Sequence, residues 1–150
     1  MLQHGAASVL AIDTGYGQIA HTLRTDARVR LMERCNARLL GEGELAGAST
    51  VDRSPLSVED AAISFLAMDV SFISATLVLP AVVRALVAEG EVWRGEAVVL
   101  VKPQFEAGRE HVGKGGIVRN EAARELAIER VRTCVVAVSY THLDVYKRQG

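Results

Sequence analysis

Two ionisable residues stand where wholly apolar runs end. Residues 62–68 carry no charge and are followed by Asp69; residues 97–101 carry none and are followed by Lys102. Runs this short and apolar predict strands buried on both faces, as in a parallel sheet. Ligands of open α/β sheets sit outside the carboxyl ends of such strands. An acid and a lysine at two such ends predict a paired site, in which an ammonium or amine handles a proton and a carboxylate orients it. A single strand-ending charge is more simply a solvated cap. Two in one chain, in Asp69-Val70-Ser71-Phe72-Ile73-Ser74 and Lys102-Pro103-Gln104-Phe105-Glu106, favour a site on one edge of one sheet.

A third acid, Asp13, closes the apolar run 7–12 and opens the turn Thr14-Gly15-Tyr16-Gly17. A carboxylate there can accept hydrogen bonds from both hydroxyls of a ribose, as in nucleotide-type cofactor sites. A strand-ending Asp that only forms a turn is about as common. Arg109, His111, Lys114 and Arg119, interspersed with Gly113, Gly115 and Gly116, make a basic, pliable loop. It reads equally as a phosphate-contacting lid for RNA or as a solvated loop. Gly47-Ala48-Ser49-Thr50 resembles a small-residue cofactor loop in composition only; no strand precedes it and no helix start follows closely, so it reads as surface loop. Trp93 reads as a packing residue near a turn.

The elements that must position these residues alternate. Strands are expected over residues 7–12, 29–33, 63–68 and 97–101. Helices are expected over 18–25, about 72–88 with Ser71 as cap, and from Glu121 with Asn120 as cap and Leu126, Ile128, Val131 and Val135 among its apolar positions. Residues 41–57 read as loop or weak helix, and 103–119 as a long Gly-rich polar segment. This order predicts βαβ units and a mostly parallel sheet. Residues 61–83 are apolar enough to suggest a membrane span. Asp69 near the centre would cost about 2.5–3.5 kcal/mol there, and Pro80 weakens it further, so strand, turn and helix is the better parse.

The 150 residues suit one ordinary domain with a sizeable core. With 49% hydrophobic and 23% charged residues, the composition is globular, not disordered. A net charge of −1 excludes a chain that binds nucleic acid through bulk charge, so any RNA contact must be a local patch. Cys35 and Cys134 lack CxxC spacing and read as reduced core thiols of a cytoplasmic protein, and the four histidines show no metal-ligand spacing. No basic, cleavable leader is visible in residues 1–12. The start reads as a helix end running into a strand, one strand and one Gly-rich turn short of a Rossmann-like sheet. Residues 139–150 break the composition, with two of the three tyrosines, and read as a non-native tail. The expected organisation is a partial catalytic domain over 1–138 followed by that tail.

Asp13-Thr14-Gly15-Tyr16-Gly17-Gln18, Glu33-Arg34-Cys35-Asn36-Ala37-Arg38, the Asp69 and Lys102 motifs and Gly113-Lys114-Gly115-Gly116-Ile117-Val118-Arg119 occur in that order. Together they resemble the TlyA family, also called hemolysin A, of FtsJ-like ribosomal RNA 2′-O-methyltransferases, over nearly all of residues 1–138. The resemblance implies a Rossmann-like class I methyltransferase sheet, incomplete at both ends, with S-adenosylmethionine as cofactor. It implies methyl transfer to a ribose 2′-hydroxyl of ribosomal RNA, with ribosomal RNA or a ribosomal subunit as partner, without stable membrane insertion. Family members use a Lys-Asp-Lys-Glu tetrad. By motif, Asp69 is its acid and Lys102 its second lysine; Asp13, Asn36 and Asp69 face the cofactor; Arg109, Lys114 and Arg119 face the RNA; no metal is implied. Glu106 is structural by the same comparison, because the tetrad glutamate falls elsewhere. The first lysine and the Gly-rich cofactor loop belong upstream of Met1, and the glutamate beyond Val138, so the chain as it stands is expected to be inactive.

The chemistry suits these residues. A ribose hydroxyl is a poor nucleophile, so transfer to it needs a base or an orienting network. A lysine acts as base only when burial or a neighbouring cation lowers its pKa, and a carboxylate works the other way. Two other functions fit parts of the sequence. A membrane-active cytolysin draws on residues 61–83 alone. A nucleotide-cofactor oxidoreductase draws on Asp13 alone.

Overall fold

The computed structural model describes residues 1–46 and 63–138. The chain divides into two compact units, Met1–Leu66 with Ala81–Ala97, and Ala67–Pro80 with Val98–Gly150. The expected cofactor-like decoy at 47–50, most of the loop to 57 and the tail at 139–150 lie outside the described residues.

In the first unit, β1 (Val9–Ile12) pairs in parallel with β2 (Val29–Met32), with Val9 opposite Val29 and Ile12 opposite Met32. The connection contains α1 (His21–Arg24), four residues instead of the predicted eight. Its first carbonyl-bonded turn is set by Ala20, which offers no side-chain cap, so nothing stabilises a start further upstream. Trp93 is buried, and its indole N–H donates to the Ile63 carbonyl. Gly95 is required beside it, because a Cβ there would collide with the Trp93 ring and the Ser64 carbonyl.

β3 (Phe65–Met68), α2 (Ala75–Ala85) and β4 (Glu96–Val99) follow. The bonds Glu96 N–H to Ser64 O (2.9 Å) and Leu100 N–H to Met68 O (2.9 Å) advance together, so β3 and β4 are parallel. The buried residues Ala75, Val78, Leu79, Ala81, Val82, Val83 and Ala85 share one broad face of α2, with Leu77 and Arg84 exposed on the opposite side. The expected single sheet is instead two two-stranded pairs, β1–β2 and β3–β4, with no ladder between them among the described residues. The strands are also not buried on both faces as predicted. Val98 and Leu100 are exposed, and β3 alternates between exposed and covered positions.

In the second unit, the predicted polar segment after Lys102 contains α3 (Pro103–Glu106) and a 3-10 turn, Arg109–His111. Pro103 sits at the first turn of α3, where its missing N–H costs nothing. The last helix, α4 (Glu121–Ala137), begins where predicted. Asn120 Oδ1 accepts from Ala123 N–H at 3.0 Å. Its buried positions are Ala123, Ala127, Val131 and Val135, a strict four-residue stripe. Leu126, one of the apolar positions named for this helix, is exposed. The bulkier side chain lies one step off the stripe, where Ala127 packs with Ala107, Val118 and Ala123. Small residues let α3 and α4 approach closely.

Candidate active site

β3 and β4 end side by side; Asp69 follows β3 directly and Lys102 lies three residues beyond β4. Lys102 Nζ lies 2.6 Å from Asp69 Oδ1 and donates to Ser71 Oγ at 2.6 Å. The Lys102 side chain is 23% exposed and that of Asp69 67%, so the pair is open to a ligand. An ammonium has three donors; two are directed at these oxygens and a third remains for a substrate. As a partly exposed ion pair it contributes only about 0.2–1 kcal/mol to stability.

Ser71, predicted to cap α2, is therefore committed to the lysine. The cap is Ser74, whose Oγ accepts from Thr76 N–H at 3.1 Å and whose carbonyl accepts from Leu77 N–H. The two residues between them, Phe72 and Ile73, form a tight bend. Phe72 has φ 64°, the left-handed region that a residue with Cβ rarely adopts, and is 92% exposed. Its ring lies 5.5 Å from that of Phe105, tilted by 49°. Phe72, Ile73, Ser74, Leu77, Phe105 and Arg109 line a groove of about 440 Å³. Phe72 is the residue that sequence reasoning passed over. The available signal was an aromatic flanked by serines in a turn.

Glu106 is 5% exposed and sits one helical turn beyond Lys102. Its Oε1 accepts from Ala75 N–H at 2.7 Å and its Oε2 from Ser74 Oγ at 2.5 Å. Its carbonyl accepts from Arg130 of α4. Cys134 of α4 contacts the Thr76 carbonyl at 3.7 Å. Burial, then the charge of Glu106, pushes the Cys134 thiol above its ordinary pKa.

The basic residues are distributed over two concavities. Arg109 borders the groove beside Phe72. Lys114 and Arg119, with His111 and Asn120, line another of about 210 Å³. Gly115 (φ 82°) and Gly116 (φ 75°) turn the chain so that Lys114 projects as an exposed tip.

Asp13 and Asn36 lie in the first unit. Asp13 Oδ1 accepts from Gly15 N–H at 2.6 Å, closing the turn. A Cβ at Gly15 would come within 2.9 Å of that oxygen and 2.8 Å of Gln18 Cγ, so a larger residue there would displace one or both side chains. A carboxylate has about four acceptor sites, so the turn leaves capacity for a ribose. Asn36 Oδ1 accepts from Arg38 N–H at 3.2 Å and caps a 3-10 turn, Ala37–Leu39. The two segments are tied together. Cys35 N–H donates to Asp13 O, Arg34 N–H to Gly15 O, and the Arg34 guanidinium lies 4.4 Å from the Tyr16 ring centre. Glu33 Oε1 accepts from Gly17 N–H (2.6 Å), and both Glu33 oxygens are held by Arg24 at 2.6 and 3.0 Å. The Arg24 hydrogen bonds, helped by the Gly17 amide, hold the Glu33 carboxyl below its usual pKa. Among the described residues no three His, Cys, Asp or Glu side chains gather as a metal site, and no helix is long and apolar enough to cross a membrane.

A parallel β-α-β unit with an acid and a lysine in contact beyond its strand ends defines the class of site. The profile of the FtsJ-like methyltransferase family matches residues 1–149, and the chain belongs to that family, with its α/β fold. It is 40% identical over 139 residues to YqxC of Bacillus subtilis, provisionally named an rRNA methyltransferase, covering 93% of this chain and 43% of that protein. It is 38% identical over 128 residues to the 16S/23S rRNA (cytidine-2′-O)-methyltransferase TlyA of Mycobacterium tuberculosis, covering 85% of this chain and 41% of that protein. A solved structure from Streptococcus thermophilus, provisionally named a hemolysin, superposes with a TM-score of 0.71 at 43% identity, covering 92% of this chain and 43% of that one. The chain thus spans about two fifths of the length of these proteins.

Proposed function

We propose that this chain carries the Asp–Lys half of a class I, S-adenosylmethionine-dependent methyltransferase site acting on ribose 2′-hydroxyls of ribosomal RNA. The observation that carries the reading is the contact of Lys102 with both Asp69 and Ser71 beyond adjacent parallel strands. A lysine held between a carboxylate and a hydroxyl oxygen acts best as an orienting cation. Its remaining N–H fixes the ribose hydroxyl in line with the methyl group, and Asp69 fixes the lysine. The methyl donor is a sulfonium whose leaving group is neutral, so alignment supplies much of the acceleration. Asp13 accepts from the cofactor ribose, Asn36 borders the adenine, and Asp69 adjoins the reacting end of the cofactor. Phe72 presents a ring face to a nucleobase, and Arg109, Lys114 and Arg119 meet phosphates. The 150 residues alone are inactive on this reading, because they hold no counterpart of the family's Gly-rich cofactor loop or of the other two tetrad residues.

The test is a chimera in which residues 1–138 replace the matching segment of the M. tuberculosis relative. It should transfer methyl groups from radiolabelled S-adenosylmethionine to ribosomal RNA. Lys102→Ala and Asp69→Ala should each lower the rate by a factor of about 100 to 10,000 while changing cofactor affinity little. The double variant should be little worse than the worse single one, because the two act as a unit. Near-normal turnover by Lys102→Ala at saturating RNA would make Lys102 a strand cap.

A further inference from the structure

Glu106 is a buried carboxylate, and both contacts of its carboxylate fall on the segment that runs on from Asp69, while its own helix begins next to Lys102. Four residues separate Asp69 from Ser74 along the chain, and α3 places Glu106 one turn after Lys102. The two segments meet twice. At one end Lys102 Nζ contacts Asp69 and Ser71. At the other, Glu106 takes the Ser74 hydroxyl and the Ala75 amide. The result is a closed ring: chain from 69 to 74, across to 106, back along the chain to 102, and across to 69. Between the ties, Phe72 contacts Phe105.

We infer that Glu106 is a positioning residue for the Asp69–Lys102 pair, acting as the second tie of this ring. An ion pair open to water does not hold two long side chains in one geometry by itself. Closing the ring at Glu106 fixes the bend at 69–74 against the start of α3, so Lys102 meets both its acceptors without an ordering cost at the moment of use. Arg130 on the Glu106 carbonyl fixes the tie to α4. A carboxylate suits the position because it accepts twice, from a hydroxyl and from an orphan amide at the start of α2. The inference rests on the methyltransferase reading for the use made of the pair, not for its geometry.

The chain has three lysines, Lys102, Lys114 and Lys147, so the side-chain ammonium signals of lysine-15N-labelled protein are few. An ammonium held by a carboxylate and a hydroxyl is shielded from exchange with water, and its signal persists. The Lys102 signal should be present in the unsubstituted chain. It should be lost in Glu106→Ala, with the Lys114 region unchanged. Glu106→Gln should keep it, because the amide can accept from Ala75 N–H and donate to Ser74 Oγ. If Glu106→Ala does not fold, as judged by circular dichroism, Ser74→Ala removes one arm of the tie and should broaden the Lys102 signal. A folded Glu106→Ala or Ser74→Ala protein with an undisturbed Lys102 signal overturns the inference, as does absence of that signal in the unsubstituted chain. An intact ring in a chimera that transfers no methyl group would sink the methyltransferase reading and leave this one standing.

Discussion

At the scale of single residues, the Asp69–Lys102 pair proposed for the chemistry was readable because a charge at the end of an apolar run is a local signal. Its geometry was not. Nothing in Asp69-Val70-Ser71-Phe72 says that Ser71 turns to Lys102 while Ser74 takes the helix; that is decided by a bend whose tightest residue is Phe72, at φ 64°. A left-handed conformation costs an L-residue about 1–2 kcal/mol. At 92% exposure Phe72 recovers little of that by burial. Phe72→Gly would remove the strain, add about 0.5–1 kcal/mol of unfolded-state entropy, and lose the weak ring contact. Chemical denaturation should therefore show no loss of stability or a gain of up to about 1 kcal/mol. A packed phenylalanine truncated to a small residue would cost about 3–5 kcal/mol. The same substitution in the active chimera should lower methyl transfer, the pattern of strain held at a working position.

At the scale of elements, α2 and α4 follow from spacing, but their ends and couplings depend on contacts distant in sequence. Pro80 lies inside α2 and has no N–H for the Thr76 carbonyl, four residues back. The Cys134 thiol of α4 stands at that carbonyl instead, 58 positions away, which no local pattern announces. Pro80→Ala supplies the missing amide. Proline in a helix interior is about 3 kcal/mol less favourable than alanine, offset by about 0.4–1 kcal/mol from the looser unfolded chain. A rise in melting temperature is expected, and Cys134→Ala should cost less in that background than alone. The turn after β1 is coupled in a similar way, through Glu33 at the end of β2. Its folded pKa is depressed, so its contribution is complete above the unfolded value of about 4.3 and is lost as pH falls through the folded one. Amide-exchange protection at Gly17 should accordingly hold at neutral pH and fall in acid. Glu33→Gln should abolish that pH dependence; protection that persists unchanged in the variant would show that the backbone bonds at Cys35 and Arg34 suffice.

At the scale of the whole molecule, the alternation of strands and helices gave the α/β class and the parallel pairings, whereas in place of the single sheet expected from it the described residues form two two-stranded pairs. Periodicity reports which residues share a face; it does not report which strands are neighbours when the pairing partners are remote. Net charge behaves the same way. A value of −1 offers no bulk attraction for RNA, and the acidic and basic residues nearly cancel. The cations proposed to meet RNA are local: Lys114 and Arg119 in one concavity and Arg109 beside Phe72 in another. Each phosphate neutralised on a single strand contributes about −0.7 to the slope of log affinity against log salt. Three contacts therefore predict a slope of about −2 for this chain with single-stranded ribosomal RNA, a shallow dependence beside that of strongly basic binders. Lys114→Ala should weaken binding across RNA sequences and reduce the slope by about 0.7, since a phosphate contact carries no base information. Fluorescence anisotropy over a salt series measures both. An unchanged slope in Lys114→Ala would make the tip a solvated loop and remove Lys114 from the RNA surface.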